Sequence, residues 1–238
     1  MKTIVLTGAT GGLGLEVAKE IIGKKCGRLI AVYRDEDKYN RLFSEYHDVQ
    51  PYKTSNSDDY KSIEGIIVQS PVEEIVLVLN AFSIVPIKRI GDYSYAEIDE
   101  MVQGNIRQNI ILINEIVRIC RTNSYKLRII NLDSGAANFP LMGWGNYCAS
   151  KAYMNAFLAV VALENEDYKV VSFDPGVMDT KMQMQIRETD KSIFDQVDKF
   201  ISYKENNQLF APSFVAKQLV ERYISDWKAE VAREKCRA

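Results

Sequence analysis

The stretch Lys2-Thr3-Ile4-Val5-Leu6-Thr7-Gly8-Ala9-Thr10-Gly11-Gly12-Leu13-Gly14 decides the fold. An apolar, β-branched run of strand length passes at once into glycines, and the glycines into a helical pattern over 13–24. Strand, tight turn and helix in that order open a βαβ unit. The turn also has a chemical use. A diphosphate needs backbone N–H groups at close range and the positive end of a helix, and residues without Cβ allow that approach. The spacing here is GxxxGxG rather than GxGxxG, so it is the position, the first βα turn, that points to dinucleotide binding.

Outward from this unit the alternation repeats. Strand patterns lie at 3–7, 28–32, 75–79, 127–132 and 170–173, with a weaker one at 49–52; helical patterns lie at 13–24, 37–46, 58–69, 96–121 and 146–166. Near-continuous apolar strands between amphipathic helices predict an α/β fold, a doubly wound parallel sheet of about six strands with helices on both faces. Right-handed crossovers bring the C-terminal strand ends to one edge, where ligands bind. The 238 residues form a single domain on this reading. Only residues 179–209, polar and rich in Met and Gln, interrupt the pattern before a last helix from Pro212.

The net charge of −2 shows neither a nucleic-acid nor an anionic-membrane footprint. Cys26, Cys120, Cys148 and Cys236 are scattered, and one histidine, His47, cannot supply a zinc site, so no metal is expected and the thiols read as free. The longest apolar runs are strand-sized and no leader pattern precedes the first strand, so a cytoplasmic location is expected.

The second strand runs into Ala31-Val32-Tyr33-Arg34-Asp35. An acid at this place would bind the adenosine ribose of NAD, whereas an arginine suits the 2′-phosphate of NADP. Tyr33 occupies the usual place of the acid and Arg34 follows it, which favours NADP(H) over NAD(H); Asp35 could still face the ribose.

Ser134 lies just past the strand at 127–132, and Tyr147 and Lys151 follow in Tyr147-Cys148-Ala149-Ser150-Lys151. Positions i and i+4 share a helix face, so the lysine ammonium lies beneath the phenol. A nearby cation lowers a tyrosine pKa from about 10. Such a tyrosine can hand a proton to a carbonyl oxygen, and Ser134 can donate a hydrogen bond to the same oxygen.

Together, the glycine-rich turn, Asn80-Ala81, Ser134, Tyr147 with Lys151, and Asp174-Pro175-Gly176 resemble the short-chain dehydrogenase/reductase family over nearly the whole chain. Gly143-Trp144-Gly145-Asn146, the run from Val177 to Gln183 and Gln185-Ile186-Arg187-Glu188-Thr189 resemble its benzil reductase/sepiapterin reductase-like branch. The resemblance implies a Rossmann-like fold and an NADP-dependent oxidoreductase. Gly8, Thr10, Gly12, Leu13 and Gly14 would line the diphosphate and adenosine ribose, and Asn80 and Ala81 the cofactor beyond the fourth strand. Tyr147 and Lys151 would hold the nicotinamide ribose, and Pro175, Gly176, Val177 and Thr180 would surround the carboxamide. Asn105 would match the asparagine of the family's proton relay, or is a plain helix residue.

Three departures stand out. Phe82 replaces the glycine of the family's Asn-Ala-Gly, so either its ring points away or the backbone differs. The acid near the adenine is missing from Thr54-Ser55-Asn56-Ser57, and Asn56 or a backbone group would substitute. The charged, helix-prone end from Asp226 leaves no last strand, so a homodimer is expected in place of the family's tetramer.

Met142, Trp144, Met178 and Met182 are the candidate substrate contacts, with walls at 139–144 and 177–184; so apolar and adaptable a surface suits a bulky ketone or diketone. No acid near the C-terminus matches the pterin anchor of the sepiapterin reductases. Residues 179–209 read as a substrate lid, their second half equally as a rigid helical pair. The expected function is reduction of a hydrophobic carbonyl; the alternative is a dinucleotide-sensing or interaction protein that has lost turnover.

Overall fold

The computed structural model describes residues 1–54, 57–229 and 232–236, the side chains of 57–59 excepted. Among them a seven-stranded parallel sheet has the order β3-β2-β1-β4-β5-β6-β7. Its strands are β1 (Lys2–Thr7), β2 (Arg28–Tyr33), β3 (Val49–Lys53), β4 (Glu74–Leu79), β5 (Lys126–Leu132), β6 (Lys169–Asp174) and β7 (Arg233–Lys235). The chain order reverses between β1 and β4, and ligands bind α/β sheets at such a switch point.

Successive strand residues point to opposite faces, and each face has its helices. Ile4, Leu6, Val76, Val78, Val171 and Phe173 pack with α1 (Gly12–Lys24), α2 (Glu36–Phe43) and α9 (Pro212–Leu219). Val5, Ile30, Ile75, Leu77 and Ile129 face α3 (Ile63–Ile67), α5 (Gln108–Asn123) and α6 (Gly145–Glu164). The strands carry apolar side chains on both faces, which is why they read as unbroken runs.

The single helix expected at 96–121 is two helices, α4 (Tyr95–Val102) and α5, joined by the π-turn Gln103–Arg107. Asn105 sits in that turn, 1% exposed. Its amide clasps Ser83 after β4, accepting from Ser83 N at 2.8 Å and donating to Ser83 O at 2.7 Å. The break lets one helix pack on the sheet while a side chain ties the loop beside it, in keeping with the frequency of π-turns at functional sites.

The expected missing last strand is present. Arg233, Glu234 and Lys235 pair in parallel with Ser172, Phe173 and Asp174. No apolar alternation marks this strand, because charged partners hold it. Glu234 accepts from the Tyr223 hydroxyl at 2.7 Å and from Arg222, and Arg233 pairs with the buried Asp133. The ground for expecting a dimer in place of a tetramer falls with this correction. Asn56 lies outside the described residues.

The segment 179–209 forms α7 (Lys181–Arg187) and α8 (Val197–Glu205). With the start of α6 it builds a third, smaller core around Trp144, Ile186, Phe194 and Val197, above the sheet's C-terminal edge. Among the described residues no helix is long and apolar enough to cross a membrane.

Candidate active site

Two cavities open along the C-terminal ends of the strands. The first is lined by Thr7, Gly8 and Thr10 from β1 and its turn, by Tyr33, Arg34 and Lys38, and by Ala81 and Phe82 after β4. Gly8 takes φ +67°, a conformation a side chain disfavours, and a Cβ there would come within 3.0 Å of Asn80 Nδ2. Helix α1 begins with no side-chain cap on its Gly11 N-cap and no acid in its first turn. Its N–H groups and dipole are therefore left for an anion, as a dinucleotide's diphosphate requires.

The residues expected around the diphosphate divide into two sets. Gly8 and Thr10 line the cavity, whereas Gly12, Leu13 and Gly14 lie outside its lining. Leu13 turns into the core, 5% exposed. Gly14 packs so closely that a Cβ would stand 2.2 Å from Gly8 O, so its part is tight packing of helix on turn. Asn80 likewise clamps the turn from behind: Nδ2 donates to Thr7 O at 3.1 Å, and its N–H donates to Thr7 Oγ1 at 2.9 Å. Ala81 does face the cavity.

Arg34 reaches across this cavity and donates to Gln108 Oε1 at 2.8 Å. Asp35 is occupied in capping α2, accepting from Lys38 N at 2.9 Å, which leaves it a weaker candidate for a ribose. Lys38 itself escaped the sequence reading. Its ammonium lies over the glycine-rich turn, 3.1 Å from where a Gly11 Cβ would be. The signal was the spacing: Arg34 and Lys38 flank a helix cap four residues apart.

The second cavity holds the chemistry. Ser134 N-caps the short 3₁₀ turn Gly135–Ala137, accepting from Ala136 N at 3.2 Å, and shares the cavity wall with Tyr147. Burial pushes the Tyr147 hydroxyl above its usual pKa; the nearby Ser134 opposes this, and the Asp133 and Asp174 charges add to it. Burial first, and the two carboxylates after it, disfavour a phenolate here and act against the lowering expected from Lys151. The tyrosine is held as a neutral acid.

Lys151, 2% exposed, donates to Leu132 O at 2.5 Å. Burial pulls it down to about 7, against the opposing pull of Asp133 and Asp174. Phe82 does not point away: its ring covers the ammonium, with Nζ 3.1 Å from the ring centroid, a close cation–π contact. The Tyr147 ring is 5.7 Å from the same nitrogen. One turn beyond Lys151, Asn155 donates to both oxygens of Asp133 at 3.0 and 3.1 Å and accepts from Ser172 Oγ at 2.7 Å. Asn155 and Arg233 thus fix the carboxylate beside Ser134, a support that sequence reasoning missed.

Pro175, Gly176, Val177 and Thr180 line one side of this cavity, with Met178 and Met182. Trp144 faces it too, wedged against Tyr147, Phe194 and Phe200. Met142 is absent from the lining and Leu141 takes its place. The cause is a tight turn: Trp144 N bonds to Leu141 O at 3.1 Å, so Met142 and Gly143 are its outer corners. Gln183 of α7 lies in the wall expected at 177–184; Phe200 and Tyr203 of α8 are further wall residues, unforeseen because helix pairing across 179–209 carries no short-range signal.

A protein-family model described as short chain dehydrogenase matches residues 2–191. A benzil reductase ((S)-benzoin forming) of Bacillus cereus is 33% identical over 231 residues, covering 92% of each chain. The enzyme of the same name from Bacillus subtilis (strain 168) is 30% identical over 225 residues, again 92% of each. Among solved structures, the KRED1-Pglu enzyme superposes with a TM-score of 0.87 at 25% identity, covering 98% of this chain and 100% of its own. This chain belongs to the short-chain dehydrogenase/reductase family and is an oxidoreductase that acts between alcohol and carbonyl groups with a nicotinamide dinucleotide.

Proposed function

We propose that the chain is an NADPH-dependent reductase of hydrophobic ketones and diketones. The observation that carries the reading is that Ser134 and Tyr147 line one cavity together, in a wall otherwise rich in apolar side chains. Two Bacillus relatives named for benzil reduction support the substrate class, and Arg34 with Lys38 at the first cavity supports the 2′-phosphorylated cofactor. The nicotinamide, when bound, supplies the hydride. Ser134 orients the carbonyl by donating to its oxygen, and Tyr147 delivers the proton there as the carbon gains hydride. Lys151 holds the cofactor's ribose hydroxyls and the electrostatics around Tyr147, while Asn105 acts through its clasp on Ser83. Pro175, Gly176, Val177 and Thr180 embrace the carboxamide.

Purified protein with NADPH and benzil should consume one cofactor per diketone and release the hydroxyketone, read by absorbance and chromatography. NADPH binding without turnover of benzil or of a panel of aryl ketones would replace this reading with that of an inactive binder.

We further propose that the first half of 179–209 is a lid. Its roots are pinned, with Asp179 N donating to Phe210 O at 3.1 Å and Phe210 N to Val177 O at 2.9 Å. The second half is anchored by Phe194 and Val197 in the small core, whereas α7 enters it with Ile186, which would lift with Met182, carried over the cavity, when the lid opens. Closing it would exclude water from the reacting carbon. Amides at 179–191 should gain hydrogen-exchange protection on adding NADP⁺, while β5 hardly changes. Full protection in the empty protein would end the lid proposal.

A further inference from the structure

The Lys151 side chain is 2% exposed and lines neither cavity, although its neighbours line both, Phe82 the first and Tyr147 the second. Two groups hold its ammonium. Leu132 O accepts from Nζ at 2.5 Å, and the Phe82 ring lies on the nitrogen, its centroid 3.1 Å away. An ammonium so enclosed cannot meet a sugar hydroxyl unless one of the two gives way. Leu132 O belongs to β5, a central strand paired on its two sides with β4 and β6, so its position is fixed. The ring is the part that can leave.

The backbone around Phe82 is pinned on either side. Ahead of it the N–H groups of Asn80 and Ala81 donate to Thr7 Oγ1 at 2.9 and 3.0 Å, and after it Asn105 clasps Ser83 with bonds of 2.8 and 2.7 Å. The side chain between these ties is only half-buried and borders the first cavity. A fixed backbone with a partly open side chain leaves rotation of the ring between staggered positions as the available motion. What keeps the ring on Lys151 is the cation, since a desolvated ammonium attracts the face of an aromatic ring strongly.

We propose that Phe82 is a positioning residue that closes Lys151 off until the nicotinamide ribose takes the place of its ring on the ammonium. The proposal rests on the reading above in which Lys151 holds the ribose hydroxyls. It divides cofactor binding into two separable parts. The adenylate half, at Arg34 and Lys38, enters the first cavity without needing Lys151, whereas the nicotinamide half binds only to molecules whose ring has left. Affinity for the whole cofactor is then reduced by the fraction of molecules in the open arrangement, and affinity for the adenylate half is not.

Calorimetric titration compares NADP⁺ with adenosine 2′,5′-bisphosphate, its fragment without the nicotinamide ribose. The protein is held at about pH 6, below the value of about 7 to which burial pulls Lys151, so that the cation is present. Phe82→Ala should tighten NADP⁺ by about three- to thirtyfold and leave the fragment within about twofold of wild type. A ring that served only for packing gives the opposite sign, because its loss loosens the site. Phe82→Leu, which keeps the bulk and loses the π face, should also tighten NADP⁺, by at least about threefold, and serves if the alanine variant does not fold. In the wild type, ring current should shift the Lys151 ε-methylene resonance upfield, and NADP⁺, but not the fragment, should return it toward the ordinary lysine position. Unchanged or weaker NADP⁺ binding in a folded variant overturns the proposal. So does equal tightening of the fragment, or a resonance that stays shifted with NADP⁺ bound. Wild-type protein that binds neither ligand refutes the cofactor reading itself, and this inference with it.

Discussion

Tyr147→Phe should lower kcat for carbonyl reduction by at least a hundredfold while NADPH affinity changes little. The substitution removes one oxygen and its proton from a side chain 6% exposed, and the ring keeps its edge contact with Trp144. Positioned general acids contribute on the order of 10²–10⁴ in rate, so the barrier should rise by about 3 kcal/mol or more. Burial and the two aspartates hold the hydroxyl protonated through the neutral range, which is the form that reduction consumes. The reverse, alcohol oxidation, needs the phenolate and should gain with rising pH. Single-turnover kinetics with saturating NADPH measure the effect. A variant that keeps more than about a tenth of wild-type kcat, a barrier rise below about 1.4 kcal/mol, would show that another group donates the proton.

The sequence located Tyr147, Ser134 and Lys151 because their spacing is local: a strand end, then two positions one helical turn apart. Five of the six longer strands were legible for a related reason, since burial on both faces turns each into a largely apolar run, whereas β3, Val49–Lys53, alternates and read only weakly. β7 follows the opposite logic. Arg233 and Glu234 enter the sheet through Asp133, Arg222 and Tyr223, partners distant in the chain or fixed only once the fold exists. Met142 and Leu141 differ by one position on a turn, a distinction that apolar character alone does not make. Phe82 was visible as a departure, yet its contact with Lys151 joins residues 69 positions apart in the numbering. The electrostatics were the least legible part. The i, i+4 spacing brings a cation near Tyr147, but burial, an effect of the whole fold, raises the hydroxyl, and the Asp133 and Asp174 charges at the ends of β5 and β6 add to it.

Arg34→Ala should weaken NADPH about ten- to a hundredfold and NADH hardly at all. A charge-assisted pair with a phosphate contributes about 1.5–3 kcal/mol, and only NADPH carries the 2′-phosphate. The guanidinium is already held across the cavity by Gln108, so little ordering remains to be done when the phosphate arrives. Because Arg34 is exposed, salt screens the pair, and the loss should be smaller at high ionic strength. Lys38 supplies a second charge over the same turn, so the single variant should retain some preference for NADPH, and Arg34→Ala with Lys38→Ala should erase it. Asp35 cannot readily take over as a ribose acceptor in these variants, because its carboxylate caps α2; a switch to tight NADH binding is therefore not expected. Calorimetric titration of both cofactors with each variant decides the matter. Equal losses for NADPH and NADH would show that Arg34 shapes the cavity without reading the phosphate, and would return the cofactor preference to the ribose side of β2.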